Sequence, residues 1–127
     1  MKTKILSIFK NEEDIKKIIE KVKAYSFDEF YKHFHYEFSV MQKLTDNELI
    51  KKTFPKFELI RTIEIRENEK GERSYSLNYE LEDGTYVVIS VVLDRDKLFI
   101  INTFHVQRNY QKFEQSLRRN YFDKFIG

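Results

Sequence analysis

The apolar positions of the chain fall first into helical spacing and then into alternation. From Asn11 to Tyr25 the residues Ile15, Ile18, Ile19 and Val22 form one stripe, the i, i+3, i+4, i+7 pattern of an amphipathic helix. Asn11 suits the N-cap, and Glu12, Glu13 and Asp14 suit the positive end of the helix dipole. Ser26 with Glu29 makes a capping box that opens a second helix on Phe27, Phe30, Tyr31 and Phe34, continuing or kinking through Phe38 and Met41. Thr45 with Glu48 makes another, for a short helix that buries Leu49 and Ile50 and stops at Pro55.

From Lys56 the period drops to two. Phe57, Leu59, Arg61, Ile63 and Ile65 alternate with Glu58, Ile60, Thr62, Glu64 and Arg66, which predicts a strand. Asn68 to Glu72 is a polar turn. Tyr75, Leu77, Tyr79 and Leu81 then alternate with Ser74, Ser76, Asn78, Glu80 and Glu82, as a half-exposed strand would. Asp83-Gly84 is the strongest hairpin signal in the chain. Tyr86 to Leu93 is apolar on both faces apart from Ser90, so a central strand is expected. Asp94 to Lys97 turns into a further two-sided strand from Leu98 to Phe104. A last amphipathic helix fits Val106 to Phe125, with Tyr110, Phe113, Leu117 and Tyr121 on one stripe. The expected fold is α+β in a single domain over residues 1–127: N-terminal helices, a four-stranded antiparallel meander, and a C-terminal helix.

Composition narrows the chemistry. At 127 residues with 41% apolar and 16% aromatic content the chain can bury a core. No stretch approaches the roughly 20 apolar residues that span a bilayer. The apolar start, Ile5 to Phe9, stops at Lys10 before any signal-peptide core develops, so a cytoplasmic protein without membrane partners is expected. The absence of cysteine removes disulfides, thiol catalysis and cysteine-ligated zinc. A histidine metal site would need His33, His35 and His105 together, without an acidic partner at ligand-like spacing, so no metal is expected. Glycine occurs only at 71, 84 and 127, which leaves no phosphate-cradling loop and no nucleotide cofactor. Charge is uneven: residues 1–34 carry 8 basic and 6 acidic side chains, residues 35–104 carry 10 and 13, and residues 105–127 carry 5 and 2. The basic C-terminal end favours a polyanion contact there.

The polar residues that interrupt apolar patterns are the candidates for function. Thr103 and His105 are two apart in the last strand, on one face. His33 and His35 stand where the second helix ends, and Arg61 occupies a slot between Leu59 and Ile63. A histidine, a hydroxyl and an arginine on one sheet face suit metal-independent RNA cleavage. In that reaction the ribose 2′-OH attacks the adjacent phosphate, a general base takes its proton, and a cation stabilises the charge on phosphorus. The bland readings are boundary histidines, an Arg61 ion pair with a glutamate, and Thr103 as an ordinary strand former.

The run Leu98-Phe99-Ile100-Ile101-Asn102-Thr103-Phe104-His105-Val106, followed by Lys112 and Leu117-Arg118-Arg119-Asn120-Tyr121, resembles the last strand and tail of the barnase–EndoU–colicin–RelE-like ribonuclease superfamily, in its phage- and plasmid-borne toxin branch. His35, the stretch from Thr45 to Thr53, and Pro55 resemble that family's histidine ahead of a short helix. The resemblance implies a toxin-like endoribonuclease with His35 as general acid/base, Thr103 as the strand hydroxyl at the phosphate and Arg61 as the cation. His105, Arg108, Tyr110, Arg118 and Arg119 would contact RNA, and an antitoxin or target protein would be the partner. His105 departs from the family, where proline is frequent, and Asn102 replaces a small residue.

Two other readings compete. The cone-shaped fold of cystatin-like and nuclear-transport-factor-like binding modules also begins with helices and curls an antiparallel meander around them. There His35 and Tyr79 line a pocket or fill the core, and the C-terminal helix mediates homodimerisation or partner docking. The third reading is a small inhibitor or immunity-type protein that binds another protein through its acidic strands.

Overall fold

The computed structural model describes residues 3–24, 47–93 and 99–126. The expected second helix, with His33, His35 and the Thr45 cap, lies outside them. Among the described residues the elements are β1 (Thr3–Phe9), α1 (Glu12–Lys23), α2 (Asn47–Thr53), β2 (Ile60–Asn68), β3 (Arg73–Glu80), β4 (Tyr86–Val92), β5 (Phe99–Val106), α3 (Tyr110–Tyr121) and β6 (Phe125–Ile126). The class is α+β.

The sheet departs from the four-stranded meander. It has six strands in the order β5-β4-β3-β2-β1-β6, antiparallel except that β6 runs parallel to β1 at Ile8–Phe9. β1 is the strand the pattern did not predict. A register shift between Ile5 and Ser7 inserts Leu6, so the buried Ile5 and Ile8 stand three apart rather than two. The bulge hides the alternation by which a strand is recognised.

Helices cover both faces. On one, Ile15, Ile18 and Val22 of α1, Ile50 of α2 and Phe54 just after it meet Ile63 of β2, Leu77 and Tyr79 of β3, and Val87, Ile89 and Val91 of β4. Asn11 caps α1 as its sequence suggests, accepting from the Glu13 amide at 2.9 Å. The Tyr79 hydroxyl donates to the Phe54 carbonyl at 2.9 Å, fixing the end of α2 to the sheet. On the other face α3 crosses the strands, with Leu117 packed on Ile5 and Ile8.

The last helix is shorter than its apolar stripe suggested. Val106 belongs to β5, and Asn109 starts α3 by accepting from the Lys112 amide at 3.1 Å. Its start is pinned to the β3–β4 hairpin, where the Gly84 carbonyl accepts from the Tyr110 amide at 2.7 Å. Gly84 has φ of +86°, a conformation that glycine adopts without strain, as the Asp-Gly turn demands.

Candidate functional site

Under α3 lies a polar layer. β2 and β3 bury Thr62, Glu64, Ser74, Ser76 and Asn78, and β4 adds Ser90. Asn78 Nδ2 donates to Thr62 Oγ1 at 2.9 Å and to Glu64 Oε2 at 3.0 Å. Thr62 Oγ1 lies 3.0 Å from the Tyr110 hydroxyl, which donates to Glu114 Oε1 at 3.1 Å. Because Tyr110 has one hydroxyl proton and a carboxylate can only accept, Thr62 must donate to Tyr110. The protons therefore run in one direction, from the Asn78 amide through two hydroxyls to the Glu114 carboxylate. Burial pushes the Tyr110 hydroxyl far above its ordinary range; the Thr62 hydrogen bond opposes that shift and the Glu114 charge adds to it.

Each buried carboxylate has a cation at its outer side. Arg66 Nη2 meets Glu64 Oε1 at 2.7 Å, and Lys10 Nζ pairs with Glu114 Oε2, with Arg118 Nε 3.7 Å from the same oxygen. Tyr86 stacks on Phe113 with ring centroids 4.5 Å apart, closing the layer toward β4. Tyr110 is thus fully buried, and its ring offers no surface for stacking a base. The alternating polar residues Ser74, Ser76 and Asn78 of β3 are buried rather than half-exposed. No groups of three or more metal-ligating side chains occur among the described residues.

Arg61 lies in a bulge between Ile60 and Thr62, out of line with Ile63. Its Nε meets Glu80 Oε1 at 3.1 Å and its Nη1 donates to the Glu58 carbonyl at 2.8 Å. Gln111 of α3 holds the other Glu80 oxygen at 2.9 Å. Thr103 is buried on β5 opposite Ile89. Two strands separate β2 from β5, which places Arg61 and Thr103 at least roughly 14 Å apart across the sheet. The described residues therefore do not bring those two side chains together, and His35 lies outside them.

His105 sits at the end of β5 in a second hydrogen-bond chain. Thr85 Oγ1 donates to Asp83 Oδ1 at 2.6 Å, so at 3.0 Å His105 Nε2 must donate to Thr85. The Gln107 side-chain amide nitrogen lies 3.0 Å from the other ring nitrogen, His105 Nδ1. The Thr85 hydrogen bonds hold Asp83 below its ordinary carboxylate range, and His105 lowers it further.

The remaining exposed chemistry gathers at the C-terminal end. Tyr121 is 38% exposed, Phe122 77% and Ile126 42%, three of the four exposed large apolar side chains among the described residues. Arg119 and Lys124 are exposed beside them, and the Arg118 guanidinium lies 4.9 Å from the Phe125 ring centre. Arg108 and Lys112 are also exposed but stand at the other end of α3, roughly 15 Å away along the helix axis. The polar layer and the aromatic patch both escaped the sequence reading. Glu114 looks like an ordinary surface glutamate, and Phe122 to Ile126 look like the end of an amphipathic helix. The only available signal was Phe122 itself, which lies off the apolar stripe.

No family of known proteins, no curated protein and no solved structure matches this chain. No helix among the described residues is long and apolar enough to cross a membrane.

Proposed function

We propose that this chain is a non-enzymatic binding module that docks a protein partner through the patch formed by the end of α3, the turn after it and β6. The observation that carries this reading is the exposure of Tyr121, Phe122 and Ile126 within six residues, set among Arg118, Arg119 and Lys124. Aromatic residues and arginine are enriched in protein interfaces, and a truncated aromatic anchor costs the most binding energy. The basic surround calls for a partner surface with carboxylates around an apolar pocket. Arginines beside aromatic rings also suit single-stranded RNA, but the aliphatic Ile126 offers no stacking surface and favours protein.

The test uses the full chain beside Phe122→Ala and Arg119→Glu variants. Proteins captured from an extract of the source cells are quantified, and a fluorescent single-stranded RNA is titrated in EDTA. Loss of an aromatic anchor of about 2 kcal/mol predicts partner affinity roughly 30-fold weaker in Phe122→Ala. Capture unchanged in both variants would overturn the assignment. RNA cleaved by the wild-type chain in EDTA would instead install the ribonuclease reading, with His35 and Arg61 the first residues to replace.

A further inference from the structure

β5 is an edge strand of unusual composition. Its eight residues, Phe99 to Val106, contain no lysine, arginine, aspartate, glutamate, proline or glycine. Edge strands ordinarily carry charges, proline or short lengths that deter pairing with another chain. The opposite edge follows that rule: β6 is two residues long, and β1 beside it carries the exposed Lys4. Among the described residues no strand lies outside β5. Phe104 on this strand is 38% exposed, the fourth of the exposed large apolar side chains and remote from the other three.

We propose that this edge pairs antiparallel with β5 of a second copy of the chain, centred on Phe104. The register follows from the strand itself. A shift between Ser90 and Val91 leaves Ile101 in a bulge, so regular pairing geometry runs from Asn102 to Val106, and Phe104 is its midpoint. Centring there aligns Thr103 of each copy with His105 of the other and Asn102 of each with Val106 of the other. Phe104 then meets Phe104 across the two-fold axis. Every aligned pair keeps the alternation of the two faces, which a shift of one residue along one strand would break. Directly opposed aromatic residues on neighbouring strands attract, and the exposed Phe104 surface is covered.

Charge selects a copy over an unlike strand. Strands paired about a two-fold axis place like residues near like, so a basic or acidic edge repels itself. β5 carries no lysine, arginine, aspartate or glutamate to repel its own copy, and none to discriminate among unlike partners. The C-terminal patch is the reverse case: its cations would meet cations in a self-pairing. The two surfaces therefore suit different occupants.

The oligomeric state of the full chain decides the matter. At about 100 µM, where even weak self-association is populated, sedimentation and light scattering should report a dimer. Phe104→Lys, which places two like charges at the axis, should be a monomer with unchanged far-ultraviolet circular dichroism. Since the chain has no cysteine, Phe104→Cys gives a second readout that survives if the lysine variant misfolds. Mild oxidation should link it into a covalent dimer, whereas Gln115→Cys on the exposed side of α3 should stay unlinked. A wild-type monomer at this concentration overturns the proposal and leaves the edge to a strand from another protein. A dimer that persists in Phe104→Lys, or equal linking at positions 104 and 115, overturns it as well.

Discussion

The two faces of β3 are built from opposite materials and both end up buried. Tyr75, Leu77 and Tyr79 point into an apolar layer under α1 and α2, while Ser74, Ser76 and Asn78 point to the face crossed by α3. On the first face, cohesion comes from non-directional burial, which tolerates any packing that fills space. On the second, each buried group needs a donor or acceptor in a particular place. The apolar face therefore supplies stability, and the polar face sets where α3 lies. Among the described residues Asn78 Oδ1 of the polar face is buried without a hydrogen-bond partner, while both amide protons of that side chain are used.

The comparison is tested hardest by neighbouring residues of one strand. Leu77 is fully buried, and Leu77→Ala should cost about 2–5 kcal/mol through lost burial and a residual cavity. Ser76→Ala removes a hydroxyl 2.9 Å from that of Ser90 and should cost about 0.5–1.5 kcal/mol. Urea unfolding of both variants measures the difference. Equal losses would mean that the polar layer carries as much stability as the apolar core.

The next test works at the hydroxyl that joins α3 to the sheet. Tyr110→Phe leaves Glu114 and Thr62 each short of one hydrogen bond, for an expected loss of about 1–3 kcal/mol near neutral pH. The sign of the alkaline effect follows from the raised hydroxyl. Its stabilising contribution is complete below the unfolded value of 10.0 and falls as pH rises above it, because only the unfolded chain then ionises. Tyr79 on the apolar face is raised in the same direction, chiefly by burial with the Glu58 charge adding to it. Each Tyr→Phe variant should therefore lose stability less steeply than the wild type above pH 10, in parallel amounts. Unchanged alkaline slopes in both would show that neither hydroxyl is held neutral by the fold.

How much was legible in the sequence follows the same division. The α1 stripe, the short helix before Pro55, the strands flanking Asp83-Gly84 and the α+β class all come from periodic burial, which leaves a trace in every residue. The polar face leaves none, because Thr62, Ser76 and Asn78 alternate with apolar residues as solvent-facing side chains do. Tertiary packing turns that face inward, with Tyr110 of α3 reaching Thr62, and the buried Glu114 of α3 itself looks polar in sequence. Bulges conceal the rest. Leu6 breaks the period of β1, and Arg61 in its bulge takes a glutamate partner rather than a place in line with Ile63. Two residues of β6 are too short for any period, so the parallel edge could not be foreseen.

The smallest effect belongs to the Asp83-Gly84 hairpin, whose side-chain hydrogen bonds lie outside both layers. Asp83 is fully exposed, yet it accepts both the hydroxyl and the amide of Thr85, at 2.6 and 2.9 Å. These bonds favour its charged form, so the folded carboxyl titrates below its unfolded value of 3.8. A depressed carboxyl contributes stability above the unfolded value and loses it as pH falls through the folded one. Asp83→Asn should therefore lower the melting temperature by a small, constant amount at pH 5 to 8. That gap should close only as the pH falls below 3.8. Because Thr85 also accepts from His105, the substitution loosens the end of β5 without touching the Tyr110 chain. Hydrogen exchange should accordingly speed up at Thr85 and His105 while Tyr110 keeps its protection. Faster exchange at Tyr110 would mean that the two chains are coupled through Gly84, and that the polar face reaches further than its own hydrogen bonds.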